Sequence, residues 1–393
     1  MSRSWSPPPP ALGSGLPELD PHGGPRHGED PAGGQGPEGG PRLLDFSTNV
    51  LPFPPDPGLL EAVRDAPLHT YPDPASRRAR EAMARHWAMD PERIALAPGG
   101  GELIHRTAAT FVAPGQGLLI VGSTFGEYRR AGLLRGALVR EVGRGRARLP
   151  DPDAVVEVVR GWDTRRWGPL RLVFLCSPNN PTGDGWPDGA ISTVADALPT
   201  GSLLVLDESY RSFATGDLSP PHRPIDDRIL HIRSLTKDLA LPGLRVAVAA
   251  GSPEVLELLE QAAPPWAVSA PAQRVVEAAV RPGPLERLGR RLEELRRLRV
   301  ELARGLEDAG WSPRPSTTGF ILSRVPDATA VIRSLEARGI RVRDAASFGL
   351  PGWVRVGSRT GPENGRLLEA LNALAPAGTP PNGTARDRDP GAP

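Results

Sequence analysis

Residues 229–250 read ILHIRSLTKDLALPGLRVAVAA: an apolar run ending at Ser234, a lysine at Lys237, and a second apolar run that begins after Arg245. The hydroxyls of Ser234 and Thr236 flank the lysine closely. A turn between two strand-like runs places this polar knot at the buried edge of a sheet, where an unpaired ammonium is costly. A surface lysine is the ordinary alternative. The chemistry that tolerates a desolvated lysine is a Schiff base, because burial favours the neutral amine and an imine then fixes it covalently.

Such a lysine needs partners, and other stretches supply them. The run SLLVLDESY puts Asp207 at the carboxyl end of a strand, where open α/β sheets hold their ligands. A carboxylate there keeps the ring nitrogen of pyridoxal phosphate protonated, so that the ring acts as an electron sink. RLVFLCSPNNPTG runs from a strand into a turn that offers Asn180 to the ring's phenolic oxygen. Ser234 and Arg245 are candidates for holding the phosphate.

The set SPNNPTG, DESY, SLTK and GLR, in that order, resembles the fold type I pyridoxal-phosphate enzymes, aminotransferase classes I and II. The resemblance covers about residues 43–376. Within the family, LDFSTN, YPDP and RVRDAASFGLPGWVRVG are similar to the histidinol-phosphate aminotransferases and the threonine-phosphate decarboxylases. The resemblance implies a large domain with a mainly parallel seven-stranded sheet and a small C-terminal α+β domain. It also implies a homodimer with shared active sites.

Composition agrees with a soluble enzyme. With 393 residues and a formal charge of +1, the chain has material for two domains and no electrostatic case for nucleic acid. No apolar run approaches the roughly 18 residues of a membrane span, and the start, MSRSWSPPPP, lacks the apolar core of a secretory signal. The single cysteine, Cys176, excludes an intrachain disulfide framework, so the cytoplasm is the simplest compartment. Its place at a strand end favours inert packing. The seven histidines are scattered without a close pair, so no metal site is expected, and structural roles are favoured for His105 and His231.

Along the chain, residues 1–42 and 378–393 are rich in proline, glycine and charge and are expected to be disordered. Residues 43–70 form an extended arm with a short helix over 57–65, 71–277 the large cofactor domain, and 278–377 the small domain. By resemblance Tyr71 reaches the neighbouring subunit's cofactor phosphate, and Asn49 lies near the substrate; shaping a turn with Pro72 is the other reading of Tyr71. Gly99, Gly100 and Gly101 lead into a helix whose exposed N–H groups suit a phosphate. Glu102 aligns with the glutamate that closes the family's glycine phrase, while Pro98 stands where an asparagine is expected. In STFGEY, Phe125 matches the ring that stacks on the cofactor and Tyr128 is a weaker substrate contact. Tyr210 matches a tyrosine that donates to the phenolic oxygen beside Asn180.

The small domain begins with a helix over 284–310 and carries the substrate arginines. Arg355 in WVRVG matches the family residue whose fork binds the substrate carboxylate, geometry that lysine cannot supply. Arg343 resembles a second anion-binding arginine; Arg341 shares its strand face, with a solvent-facing role equally open. The freed Lys237 is expected to serve as general base at a pKa lowered by its surroundings. Transamination and decarboxylation use the same cofactor set. Transamination is the commoner reaction of this fold and is the expectation, with decarboxylation as runner-up. A non-catalytic regulator needs an added DNA-binding domain, for which residues 1–42 are too short and irregular.

Overall fold

A computed structural model describes residues 43–221 and 226–374. The tails expected to be disordered lie outside those residues. In chain order the strands are β1 (Leu44–Asp45), β2 (Ile94–Ala97), β3 (Gly117–Val121), β4 (Leu138–Val142), β5 (Leu170–Cys176), β6 (Leu203–Asp207) and β7 (Ile229–Ser234). They continue as β8 (Ala247–Ala250), β9 (Ser312–Pro313), β10 (Phe320–Arg324), β11 (Ile340–Arg341), β12 (Arg343–Asp344) and β13 (Trp353–Gly357).

Seven strands in the order β2-β8-β7-β6-β5-β3-β4 make the large sheet. Strands β3 to β7 pair in parallel, and β8 runs antiparallel to both its neighbours. The expected mainly parallel sheet is therefore present. Its inner strands are apolar on both faces because helices cover both faces. Leu172 and Phe174 of β5 pack toward Leu103, Ile104 and Ala108 of the helix Gly100–Phe111. Val173 and Leu175, pointing the other way, meet Val155, Val159, Ile191 and Val194 of the helices Pro152–Arg160 and Asp188–Ala197.

Sheet growth reverses at β3, which has β4 on one side and β5 on the other. That reversal is where parallel sheets open a crevice beyond their carboxyl ends. The segments leaving β3, β5, β6 and β7 carry Phe125, Asn180, Ser209 and Lys237 into it.

The C-terminal unit hangs on the helix Pro282–Asp308, which starts two residues before the expected position because Pro282 occupies its first turn, where the missing N–H costs nothing. Leu288, Leu292, Leu295, Leu298, Leu302 and Leu306 form its buried stripe. A four-stranded antiparallel sheet, β12-β13-β10-β9, completes this α+β unit. The arm is sewn into it: β1 pairs in parallel with β11, and Gly357 N donates to Phe46 O at 2.8 Å. Among the described residues no helix is long and apolar enough to cross a membrane.

Candidate active site

A cavity of about 520 Å³ opens beyond the carboxyl ends of β5, β6 and β7 and is closed on its far side by residues of β12, β13 and the segment between them. Lys237 enters it from the helical turn Leu235–Asp238 that follows β7, with Nζ 4.9 Å from the Tyr210 ring centre. It is the only lysine among the 47 basic lysine and arginine residues of the chain. Arginine occupies every other such position, and a guanidinium neither loses its proton nor forms an imine. That count points to Lys237 more sharply than the flanking hydroxyls do.

The pKa expected of this lysine needs correction. Burial pulls it down, but attraction to Tyr210, Asp207 and Asp238 outweighs burial, and the net shift is upward. Sequence reasoning supplied the desolvation and omitted the anions gathered around the amine.

Asp207 ends β6 almost fully buried. Its Oδ1 accepts from Ser209 N at 2.9 Å, and its Oδ2 accepts from the Tyr128 hydroxyl at 2.7 Å. Tyr128 is itself buried and stacked on Phe174 at 4.9 Å, and burial beside Asp207 raises its phenol well above the ordinary range, so it stays a neutral donor. Its hydroxyl is thus committed to orienting Asp207, a role the sequence reading missed. Phe125 lines the cavity with its ring edge-on to Tyr128 at 5.8 Å. Cys176 lies beneath them; burial, reinforced by Asp207, pushes its thiol pKa up.

On the opposite wall the donors fit a phosphate. Gly100 and Gly101 open a helix whose first N–H groups have no helical partner. Ser234 Oγ lies 2.9 Å from Thr236 Oγ1, and the Ser209 hydroxyl accepts from Ser234 N at 3.2 Å. Gly99 sits at φ 106°, and a Cβ there would come within 2.9 Å of Arg245 Nη2, so glycine is what lets that guanidinium lie against the helix start. Backbone N–H groups, three hydroxyls and a guanidinium on one side, with Asp207 on the other, match the ends of pyridoxal phosphate. Glu102 does not join them: it pairs with Arg106 at 3.1 Å and is absent from the cavity wall. Ser209, from DESY, takes a place there that was not foreseen.

The remaining wall is cationic. Arg355 is 4% exposed and donates to Asn180 Oδ1 and to the Ser47 carbonyl, while its guanidinium lies 5.5 Å from the Phe320 ring. Burial, with a further push from Arg343, lowers its pKa to about 10 against the pull of Tyr210 and Asp45. Arg343 lies 5.0 Å from the Phe348 ring and donates to Ser347 Oγ at 2.7 Å. Asn49 Nδ2 donates to the Tyr210 hydroxyl at 3.1 Å, and its Oδ1 is buried without a hydrogen-bond partner. Arg341 is buried, so the solvent-facing reading of it fails; the pairing of β11 with β1 covers it.

Tyr71 is not in this cavity. It is 78% exposed and stacks on Trp266 at 4.5 Å on the outer surface. His105 and His231 both pair with carboxylates, Glu127 at 2.5 Å and Glu208 at 2.8 Å.

Known proteins resemble this arrangement over nearly the whole described chain. The family model for aminotransferase class I and II matches residues 41–374. The histidinol-phosphate aminotransferase of Granulibacter bethesdensis is 33% identical over 344 residues, covering 85% of this chain and 90% of that protein. Among solved structures, the histidinol-phosphate aminotransferase from Sinorhizobium meliloti in complex with pyridoxal-5'-phosphate superposes with a TM-score of 0.73 at 24% identity, over 84% of this chain and 90% of that one. The L-threonine-O-3-phosphate decarboxylase from Porphyromonas gingivalis gives 0.67 at 21% identity, over 84% and 99%. These two structural likenesses speak to the fold alone, but the family match and the sequence relative go further: this chain belongs to the class I and II aminotransferases, pyridoxal-phosphate-dependent enzymes of fold type I.

Proposed function

We propose that the enzyme transfers the amino group of a small amine or amino acid that also carries an anion, with a phosphorylated amine such as histidinol phosphate as the first candidate. The observation that carries this reading is the pair of guanidinium groups, Arg355 and Arg343, facing the same cavity as Lys237. Buried forks of this kind bind carboxylate or phosphate in two-point fashion. The histidinol-phosphate aminotransferases among its relatives support the phosphorylated choice.

The cofactor, when bound, supplies an electron sink for the pair released at the substrate's Cα. Ser209, Ser234, Thr236, Arg245 and the glycine turn would hold its phosphate, and Phe125 would bear on its ring. Asp207, oriented by Tyr128, would hold a proton on the ring nitrogen. Asn180 and Tyr210 offer polar groups to the ring oxygen. Arg355 would fix the substrate's anion with Cα toward Lys237, whose amine would take the Cα proton and hand it to the cofactor carbon that carries the transferred amino group. We further infer a cytoplasmic homodimer, in keeping with the lone buried cysteine and the exposed Tyr71.

The test is a single-turnover panel. Holoenzyme is mixed with histidinol phosphate, threonine phosphate and common amino acids without a keto acid, and spectrum and headspace are recorded. Stoichiometric conversion to the pyridoxamine form, with release of a carbonyl product, is expected for a phosphorylated amine. Catalytic carbon dioxide without that conversion replaces the reading with a decarboxylase.

A further inference from the structure

Behind the lysine turn lies a charge cluster that takes no part in the cavity wall. Asp238, the residue after Lys237, is fully buried; its Oδ2 accepts from Ser212 Oγ at 2.8 Å. Arg233 of β7, also buried, lies with Nε 3.9 Å from that same oxygen and donates to Ser212 Oγ at 2.5 Å and to the Ser219 carbonyl at 2.8 Å. Asp238 Oδ1 and Arg233 Nε have no hydrogen-bond partner among the described residues.

This is poor geometry for a stabilising ion pair. A buried pair offsets its desolvation only with close contacts and every lone pair satisfied, and an apolar pair of similar volume does as well or better. Stability alone therefore gives no account of Asp238. What the position does give is a fully buried carboxylate on the single helical turn Leu235–Asp238, next in sequence to the chain's only lysine. The groups around Lys237 are Asp207 from β6, Tyr210 after it, Cys176 from β5, and Asp238 on its own turn. Those around Asp238 are Arg233, Ser212 and Lys237, with Glu208, Arg211 and Asp217 beyond the arginine.

We propose that Asp238 is a positioning residue for Lys237: anchored by Ser212 and Arg233, it fixes the turn that carries the lysine and keeps a buried negative charge on that turn. Asp207 lines the cavity and would pair with the cofactor's ring nitrogen, whereas Asp238 is absent from the cavity wall. It thus supplies the part of the lysine's electrostatic environment that does not change with cofactor binding. Burial raises the Asp238 pKa to about 6, so the carboxylate is charged above that pH and neutral below it. This inference rests on Lys237 being the reactive amine, but its test does not need the cofactor.

The full chain, freed of cofactor, is labelled with an amine-selective acetylating reagent across pH, and the peptide carrying residue 237 is quantified by mass spectrometry. No other side-chain amine competes. In Asp238→Asn the amine should lose its proton at lower pH and label about threefold or more faster at pH 9, and Asp238→Glu should restore the wild-type profile. The pH midpoint of the bound cofactor's absorbance should move in the same direction in the loaded Asp238→Asn protein. If Asp238→Asn does not fold, Ser212→Ala removes the hydroxyl that holds the Asp238 carboxylate while keeping both charges, and the labelling profile should move in the same direction. A lower melting temperature with an unmoved labelling profile would show a packing role only and overturn the proposal. Failure of the wild-type chain to bind the cofactor, with the labelling shift present in the variant, would instead count against the proposed function.

Discussion

The carboxylate proposed to meet the cofactor's ring nitrogen, Asp207, already has other contacts: Ser209 N on one oxygen and the Tyr128 hydroxyl on the other. A hydrogen bond to a charged acceptor is worth about 1.5–3 kcal/mol, and removing it lets the carboxylate turn. Tyr128→Phe keeps the stack on Phe174 and removes only that bond. Cofactor affinity should fall about tenfold or more, read by equilibrium dialysis, with the melting temperature of the cofactor-free chain little changed. Unchanged affinity would return Tyr128 to a packing role. The lysine, the aspartate and the asparagine were legible in the sequence because each sits in a short motif at a strand end. The Tyr128 contact was not, since it spans 79 residues and depends on how β3 and β6 are ordered in the sheet. Glu102 failed in the opposite way: its motif was local, but Arg106, one helical turn on, captured it.

At the scale of elements, the strands of the large sheet could be read from apolar runs with helices between them. The two-residue pairing of β1 with β11 could not, because no periodicity marks a strand that short. Yet that pairing brings the arm across the site. Ser47 O accepts from Arg355, and Leu51 N donates to Lys237 O at 3.0 Å, so one segment touches both Arg355 and the lysine turn. Gly357 leaves room for it: a Cβ there would lie 2.3 Å from Thr48 O, a backbone atom that cannot swing aside. Gly357→Ala should therefore push the arm off β13 and cost about 1–3 kcal/mol of stability. Because Arg355 loses its carbonyl partner, KM for the anionic substrate should rise more than kcat falls. A variant that melts like wild type with an unchanged KM would show that the arm has no part in holding the arginine.

At the scale of the whole molecule, the residue that does not fit a self-contained site is Tyr71. It stands on the outer surface stacked on Trp266, and Leu68, three residues before it, is 77% exposed. A homodimer in which each Tyr71 donates to the other subunit's cofactor phosphate makes a sharp expectation. Lys237→Ala has no amine in either site, and Tyr71→Ala lacks the phenol in both. In a mixed dimer, one site joins the intact Lys237 of one chain to the intact Tyr71 of the other, and the second site has neither. Random exchange of equal amounts makes half the dimers mixed, so about a quarter of all sites should be complete. Assayed at cofactor concentrations too low to load Tyr71→Ala, the mixture should recover about that share of wild-type activity only after subunit exchange. No recovery after demonstrated exchange would mean that each chain completes its own site, and a fully active monomer in dilute solution would mean the same.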